Sequence, residues 1–154
     1  MSAAAGIEVT VAATATPELV NAFAYLLPQL SKSAPPLTLQ TLGDVVTAPG
    51  NVVLIACDGG PGGRIVGTLT LVLFRIPTAL RAWIEDVVVD EAARGRGVGE
   101  VLVQEAVRLA KERGAKTVDL TSRSSRKAAH RLYEKAGFHI RDTSVYRYGP
   151  KPSA

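Results

Sequence analysis

A glycine-rich turn between a strand pattern and a helix pattern constrains this chain more than any other feature. The segment Val87-Val-Val-Asp-Glu-Ala-Ala-Arg94-Gly-Arg-Gly-Val-Gly99 begins with three consecutive valines, which are typical of a strand buried on both faces. From Val98 onward, apolar residues recur at helical spacing as far as Gly114, where a helix C-terminal cap is expected. Alternating glycines let the backbone approach a ligand closely, and the free amides at a helix start attract a phosphate. The segment predicts a strand–loop–helix unit with an anion site at its turn.

Two other phosphate-binding loops do not fit this segment. The dinucleotide-binding pattern Gly-x-Gly-x-x-Gly requires glycine at position 100, where the chain has Glu100. The P-loop requires Gly-Lys-Ser/Thr, which does not occur in the chain. A tight turn without any ligand is the alternative, but three glycines and two arginines within six residues favour the ligand site.

Strand and helix patterns alternate along the rest of the chain. We expect helices from Pro17, from Leu37, from Val98 and after Ser124 or Ser125, with Pro28 ending or kinking the first. This order predicts an α/β (α+β) fold, with helices on the faces of a sheet. We expect one domain over residues 1–154, with residues 1–6 and 150–154 as flexible tails. The strand patterns cover residues 7–12, 51–57, 64–75, 81–90, 116–121, 138–141 and 144–148.

Composition excludes several classes of protein. No stretch approaches the roughly 20 apolar residues of a membrane-spanning helix. A signal peptide has Lys or Arg before an apolar run, and the N-terminus of this sequence lacks that pattern. A single cysteine, Cys57, excludes an internal disulfide, and no Cys/His cluster has metal-ligand spacing. We therefore expect a cytoplasmic protein without a metal and without membrane association.

Positive charge is concentrated around the glycine-rich turn. Residues 94–131 contain ten Lys or Arg and four acids, although the whole chain has a net charge of only +4. Such an excess favours an anionic partner, but solvated helix faces are also rich in Lys and Arg. Nucleic acid is not expected as that partner, because aromatic residues make up 5% of the chain and no recognition-helix pattern occurs.

Two motifs together resemble a known family. Arg94-x-x-Gly97-x-Gly99 after an apolar strand matches the Gln/Arg-x-x-Gly-x-Gly/Ala loop of the GNAT superfamily of acetyl-CoA-dependent N-acetyltransferases. Leu132-Tyr-Glu-Lys-Ala-Gly-Phe138 is similar to the family's closing motif. The strong match spans residues 83–148. The resemblance implies a mixed, mostly antiparallel central sheet of about seven strands flanked by about four helices.

The same resemblance implies acetyl-CoA as cosubstrate and a set of residues that contact it. The backbone of Val87, Val88 and Val89 would pair with the pantetheine arm. At the position seven residues before Tyr133, where many members have asparagine, this chain has Arg126, which either binds coenzyme phosphates or is a solvated helix residue. The residues implied at the pyrophosphate are Arg94, Gly95, Arg96, Gly97, Val98, Gly99 and Glu100, mainly through backbone amides.

Catalytic roles are implied for two residues. Tyr133 matches the family tyrosine that protonates the departing coenzyme sulfur, and a phenol with a pKa near 10 suits a general acid. The helix periodicity alone would place Tyr133 in the core. The position of the family's glutamate base is Thr121 here, so Glu85 is the candidate base; a strand-edge charge or an ion pair with Arg81 are its alternatives. Asp86 should face the opposite side of the sheet and is a weaker candidate.

The acceptor is not specified by these motifs. Ile84-Glu85-Asp86-Val-Val-Val resembles the corresponding strand of glucosamine-6-phosphate acetyltransferases, but the match is too short to name a substrate. The hypothesis is therefore acetyl transfer to a primary amine of a small molecule or a protein. The alternative is an acyl-CoA-binding sensor with little turnover. A homodimer is common in the family, and the C-terminal strands would be its interface.

Overall fold

The elements follow the order that the sequence patterns predict, apart from the C-terminal end. The computed structural model describes residues 4–151, and within them the chain forms five strands and four α-helices. The strands are β1 (Ile7–Val11), β2 (Asn51–Asp58), β3 (Arg64–Ile76), β4 (Ala79–Val89) and β5 (Val118–Asp119). The helices are α1 (Pro17–Leu30), α2 (Leu39–Thr47), α3 (Val98–Glu112) and α4 (Lys127–Lys135), and a short 3₁₀ turn spans Glu91–Ala93.

The strands form one mixed, mostly antiparallel sheet in the order β1-β2-β3-β4-β5. The first four strands pair antiparallel with their neighbours, and β5 joins β4 in parallel. A chain that must cross over between parallel strands needs a long connection, usually a helix. Here α3 supplies that connection between β4 and β5.

Helices cover both faces of the sheet, because the side chains of a central strand alternate between two apolar cores. Val52, Leu54 and Ala56 of β2 pack in a core that also contains Leu102 and Ala106 of α3. On the opposite face, Val53 packs with residues of α1 and α2, among them Phe23 and Leu42. Alternate side chains of β2 therefore pack against α3 on one face of the sheet and against α1 and α2 on the other, as expected for a strand buried on both faces.

The prediction of about seven strands is wrong in number, because residues 138–141 and 144–148 do not form strands. Beyond Phe138, their apolar side chains are largely exposed: Ile140, Val145 and Tyr146 are 84%, 69% and 93% exposed. Alternation describes a strand only where a neighbouring strand offers backbone partners. These two patterns therefore belong to an irregular, mostly exposed segment.

Two helix ends differ from the sequence prediction. Pro28 does not end α1, which continues to Leu30, since proline removes one hydrogen bond but the next turn closes through Ser31 N–H and Leu27 C=O at 2.9 Å. Neither Ser124 nor Ser125 caps α4. The cap position is Arg126, and it makes no capping side-chain hydrogen bond.

The predicted tails are partly within the described residues. Ala4 is buried, and its carbonyl accepts a hydrogen bond from Ile7 N–H at 3.0 Å. Ala4 also lies beside Gly97, so this end of the chain packs near the glycine-rich turn. Residues 1–3 and 152–154 of the predicted tails lie outside the described residues.

Candidate active site

A large cleft opens where β4 and β5 separate. Its volume is about 1370 Å³, more than the 300–1,000 Å³ typical of a pocket for one small ligand. Its walls are the end of α1, the second half of β4, the glycine-rich turn with the start of α3, the segment after β5, and α4. The cleft therefore has room for a large cosubstrate together with an acceptor.

The edge of β4 is open along this cleft. Within residues 4–151, β5 pairs with β4 only at Ala82–Val118 and Trp83–Asp119. From Ile84 to Val89, β4 pairs with β3 on one side, and its other side lines the cleft. Peptide groups on an unpaired strand edge are ready to bond an extended partner. Val87, Val88 and Val89 lie on this open edge and line the cleft, with the Val88 side chain buried in the core.

A β-bulge brings two carboxylates into the cleft. Thr70 lies opposite Glu85 and Thr68 opposite Val88, so two residues of β4 face one residue of β3. Asp86 has φ = 49°, in the left-handed region that one class of β-bulge uses. Glu85 and Asp86 both line the cleft. The expectation that Asp86 faces the opposite side is wrong, because strict alternation fails at the bulge.

The glycine-rich turn delivers free backbone amides to the cleft. Gly95 and Gly97 have φ = 80° and 79°, which other residues rarely adopt. Val101 N–H donates the first helical hydrogen bond of α3, to the Gly97 carbonyl at 3.1 Å. The amides of Val98, Gly99 and Glu100 therefore have no intrahelical acceptor. No side chain caps this helix start, and its dipole is positive at this end.

Gly99 lies in close contact with α4. A Cβ at Gly99 would lie 2.8 Å from Leu132 Cδ1 of α4. The start of α3 and the middle of α4 therefore approach each other at the floor of the cleft. Both of the family-like motifs meet at this contact.

The three arginines expected at the coenzyme have different surroundings. Arg94 and Arg126 line the cleft. The Arg96 guanidinium is held by Asp58 at the end of β2, with N–O distances of 2.6 and 3.0 Å. This hydrogen bond lowers the pKa of Asp58. Arg96 does not line the cleft, and its guanidinium is paired with Asp58 instead of facing a ligand there.

Tyr133 lies at the boundary between the cleft and the core. Its ring packs edge-on against Phe138, with centroids 6.0 Å apart, and its side chain borders the main core. Burial raises the pKa of Tyr133, and the nearby positive charge of Arg126 opposes that shift. The phenol therefore remains protonated at neutral pH and can donate a proton or a hydrogen bond. Tyr133 serves as a core residue and a cleft residue at the same time.

Glu85 is exposed in the cleft, and the ion pair with Arg81 does not form. Arg81 instead contacts Asp119 at 2.7 Å and the Thr117 hydroxyl at 3.2 Å. Thr121, at the position of the family's glutamate, also lines the cleft. A carboxylate on β4 therefore faces the same space as Tyr133, although it comes from a different element than in the family pattern.

Several cleft residues were not singled out in the sequence. Gln29 at the end of α1 lines the cleft, and so does Arg147 of the C-terminal segment. No motif marks either residue, because their placement depends on how distant elements pack. Glu100 lines the cleft, but its side chain pairs with Lys135 at 3.1 Å. His130 bonds the Arg123 carbonyl at 2.8 Å, which shapes the segment before α4.

The described part of the chain, residues 4–151, has no group of three or more His, Cys, Asp or Glu side chains placed to hold a metal ion. Over the same residues, no helix has the length and apolarity needed to cross a membrane.

Comparison with known proteins identifies a family model and several relatives that this chain matches. The model of the Acetyltransferase (GNAT) family matches residues 20–138. A glucosamine 6-phosphate N-acetyltransferase from Trypanosoma brucei brucei is 35% identical over 118 residues, covering 73% of this chain and 78% of the relative. A probable glucosamine 6-phosphate N-acetyltransferase 2 from Oryza sativa subsp. japonica is 39% identical over 132 residues, covering 75% and 73%.

A solved structure agrees with this assignment over nearly the whole chain. A putative acetyltransferase from Agrobacterium tumefaciens superposes with a TM-score of 0.79 at 29% identity, covering 92% of this chain and 99% of the other. The matched residues include β4, the glycine-rich turn, α3 and α4, which are the walls of the cleft. The chain therefore belongs to the Acetyltransferase (GNAT) family and is an acyltransferase.

Proposed function

We propose that this chain transfers the acetyl group of acetyl-CoA to a neutral primary amine by direct attack. One observation supports this most strongly: the open β4 edge, the free amides at the start of α3, Tyr133 and two carboxylates all line one cleft. The backbone groups suit the pantetheine arm and the pyrophosphate. The side chains suit the two proton transfers that the reaction requires.

Acetyl transfer in this cleft requires one bond to form, one bond to break, and a proton to leave the amine while another reaches the sulfur. The amine nitrogen attacks the thioester carbonyl carbon, forming the C–N bond, and the C–S bond then breaks. Glu85 receives the amine proton, through water. Tyr133 donates its phenolic proton to the departing sulfur and regains one from solvent. The positive end of the α3 dipole and Arg126 stabilise the phosphates of the coenzyme.

An amino sugar phosphate is the acceptor that we propose to test first. The two matched relatives are named for glucosamine 6-phosphate. The cleft of this chain has carboxylates at the β4 bulge, which suit an ammonium group, and an arginine of the C-terminal segment, Arg147, which suits a phosphate. Opposite charges within one cleft fit a small molecule with an amine and a phosphate.

The test is thiol release from acetyl-CoA across a panel of amines. The panel contains glucosamine 6-phosphate, glucosamine, spermidine, an aminoglycoside and a peptide with a free N-terminus. We expect turnover with glucosamine 6-phosphate and much less with glucosamine, which lacks the phosphate. Coenzyme A binding without turnover on any amine would support the acyl-CoA sensor instead. Failure to bind coenzyme A would refute both.

Tyr133→Phe and Glu85→Gln test the two proton transfers. Each should lower kcat by about 100-fold, the lower end of the effect of a general acid or base, without weakening coenzyme A binding. Tyr146→Phe is the matched control, because Tyr146 is almost fully exposed. Full activity in Tyr133→Phe would remove the tyrosine from the mechanism while leaving the transferase in place.

A homodimer through the C-terminal segment remains part of this proposal. Ile140, Val145, Tyr146 and Tyr148 expose apolar surface within nine residues, and such clusters favour contact with another chain. Light scattering on a size-exclusion column should show a dimer whose population falls in Tyr146→Ser/Tyr148→Ser. A monomer at all accessible concentrations would contradict it.

A further inference from the structure

Asp90 is a buried carboxylate at the start of the glycine-rich turn. Among residues 4–151 it is the only charged residue in the buried class, at 1% exposure. It directly follows the last residue of β4 and precedes the 3₁₀ turn Glu91–Ala93. A buried carboxylate is costly unless it is paired and hydrogen-bonded, so its partners reveal what it holds.

The partners of Asp90 come from three parts of the molecule. Oδ1 accepts hydrogen bonds from Ala92 N–H at 3.1 Å and from the Tyr25 hydroxyl at 3.2 Å. Oδ2 accepts from the Arg64 guanidinium at 2.9 Å. The same guanidinium lies 5.5 Å from the centroid of the Tyr25 ring. Asp90 therefore caps the turn while fixing it to α1 and β3.

Gln29 makes a second connection between α1 and the same turn. Its Oε1 accepts a hydrogen bond from Glu91 N–H at 2.8 Å, and its Nε2 donates to Asp90 Oδ1 at 3.5 Å. Nε2 also contacts the Tyr25 carbonyl at 3.3 Å. Gln29 lines the cleft at the end of α1. The Gln29 side chain thus contacts both Asp90 and Glu91 and also lines the cleft.

We propose that Asp90 and Gln29 are positioning residues for the glycine-rich turn. They hold the backbone where the chain leaves β4 and enters the glycine-rich turn. The amides of Val98, Gly99 and Glu100 therefore remain aimed into the cleft. Binding sites lose affinity when their supporting contacts allow shifts of about 1 Å. This inference rests on the proposed function, since the ligand that benefits is the coenzyme.

Three variants and one control separate positioning from simple stabilisation. Tyr25→Phe removes one hydrogen bond to Asp90, Gln29→Ala removes the contact with Glu91, and Asp90→Asn weakens the whole cluster. Gln40→Ala is the control, because Gln40 is exposed on α2 and makes no side-chain hydrogen bond to the described residues. Two quantities are measured: the Kd for coenzyme A by calorimetry, and hydrogen exchange of the Glu91 and Ala92 amides without ligand.

We expect Gln29→Ala to raise the Kd for coenzyme A about five-fold and Asp90→Asn about ten-fold or more, the range expected for one or several hydrogen bonds. Tyr25→Phe should raise it about two-fold, and Gln40→Ala should not change it. The Glu91 and Ala92 amides should exchange faster by similar factors, while the Val101 amide does not. If Asp90→Asn fails to fold, Tyr25→Phe still tests the cluster, because it removes only one hydrogen bond to Asp90.

The outcomes distinguish this inference from the proposed function. A wild-type chain that binds coenzyme A, with variants that melt earlier but bind equally tightly, would show a purely structural cluster and overturn the inference alone. Unchanged exchange at Glu91 and Ala92 would overturn it as well. A wild-type chain that fails to bind coenzyme A would refute the proposed function and this inference with it.

Discussion

At the scale of single residues, the surroundings of Arg94 and Arg96 show that neighbouring motif residues need not act alike. Both were expected at the coenzyme from their place in the loop. Arg94 faces the cleft, whereas Asp58 holds Arg96 outside it. A motif specifies residue types, but it does not specify which way a side chain points once a carboxylate from β2 is available.

The two arginines should therefore respond differently to truncation. Arg94→Ala removes a cation that faces the phosphates and should raise the Kd for coenzyme A about five- to ten-fold. Arg96→Ala leaves the backbone amides in place and should change the Kd less than two-fold. Calorimetric titration with coenzyme A measures both. A larger effect for Arg96 than for Arg94 would mean that the Arg96–Asp58 pair opens on binding.

The pKa of Tyr133 gives a prediction that needs no substrate. Burial raises this pKa, and the Arg126 charge lowers it, since a cation favours the tyrosinate. The Tyr133 proton should therefore be lost only above pH 10, the ordinary tyrosine value, and Arg126→Gln should move its loss to still higher pH. Carbon-13 resonances of labelled tyrosine rings report this titration. A Tyr133 pKa below the ordinary tyrosine value would contradict the burial effect.

At the scale of elements, the sequence predicts those strands and helices that have partners close along the chain. The glycine-rich turn, α3 and the valines of β4 follow from local pattern alone. The two C-terminal strands do not form, because a strand needs a neighbour, and Ile140 to Tyr148 have none within residues 4–151. The position of Asp86 was also unpredictable, since a bulge adds a residue without any sign in the alternation.

The bulge at Asp86 predicts an unusual order of stability among variants. Asp86 has φ = 49°, a region that glycine adopts freely and β-branched residues avoid. Asp86→Gly should leave the free energy of unfolding within about 1 kcal/mol of the wild type, whereas Asp86→Val should lower it by roughly 1–3 kcal/mol. Urea denaturation measures this difference. Equal stability of the two variants would mean that the bulge moves to another residue.

At the scale of the whole molecule, the cleft lies between a well-packed body and a lightly packed element. The sheet with α3 contains most of the buried residues, whereas α4 has no buried residue at all. Both motifs are recognisable from local pattern, but their meeting at Gly99 and Leu132 depends on the three-dimensional packing. Regions with few buried contacts open more readily than the core.

Coenzyme A should therefore protect α4 more than any other helix. Trypsin should cut the ligand-free chain readily after Arg123 or Arg126. A saturating concentration of coenzyme A should slow these cuts by the same factor by which it lowers the population of molecules in which α4 is detached from the core. Fragment masses over time measure the rates. Cleavage after Arg141, an exposed residue outside the cleft, is the control. Equal protection at all sites would indicate global stabilisation instead.

The open edge of β4 and the turn before α3 present main-chain groups, which remain chemically the same whatever side chains the gene encodes. Under the proposed function, the donor would be recognised through these groups, and the acceptor through side chains such as Glu85 and Arg147. Substitutions could then accumulate on the acceptor wall without rebuilding the donor wall. This architecture would let descendants of one ancestor acquire new amine substrates while retaining the same acyl donor.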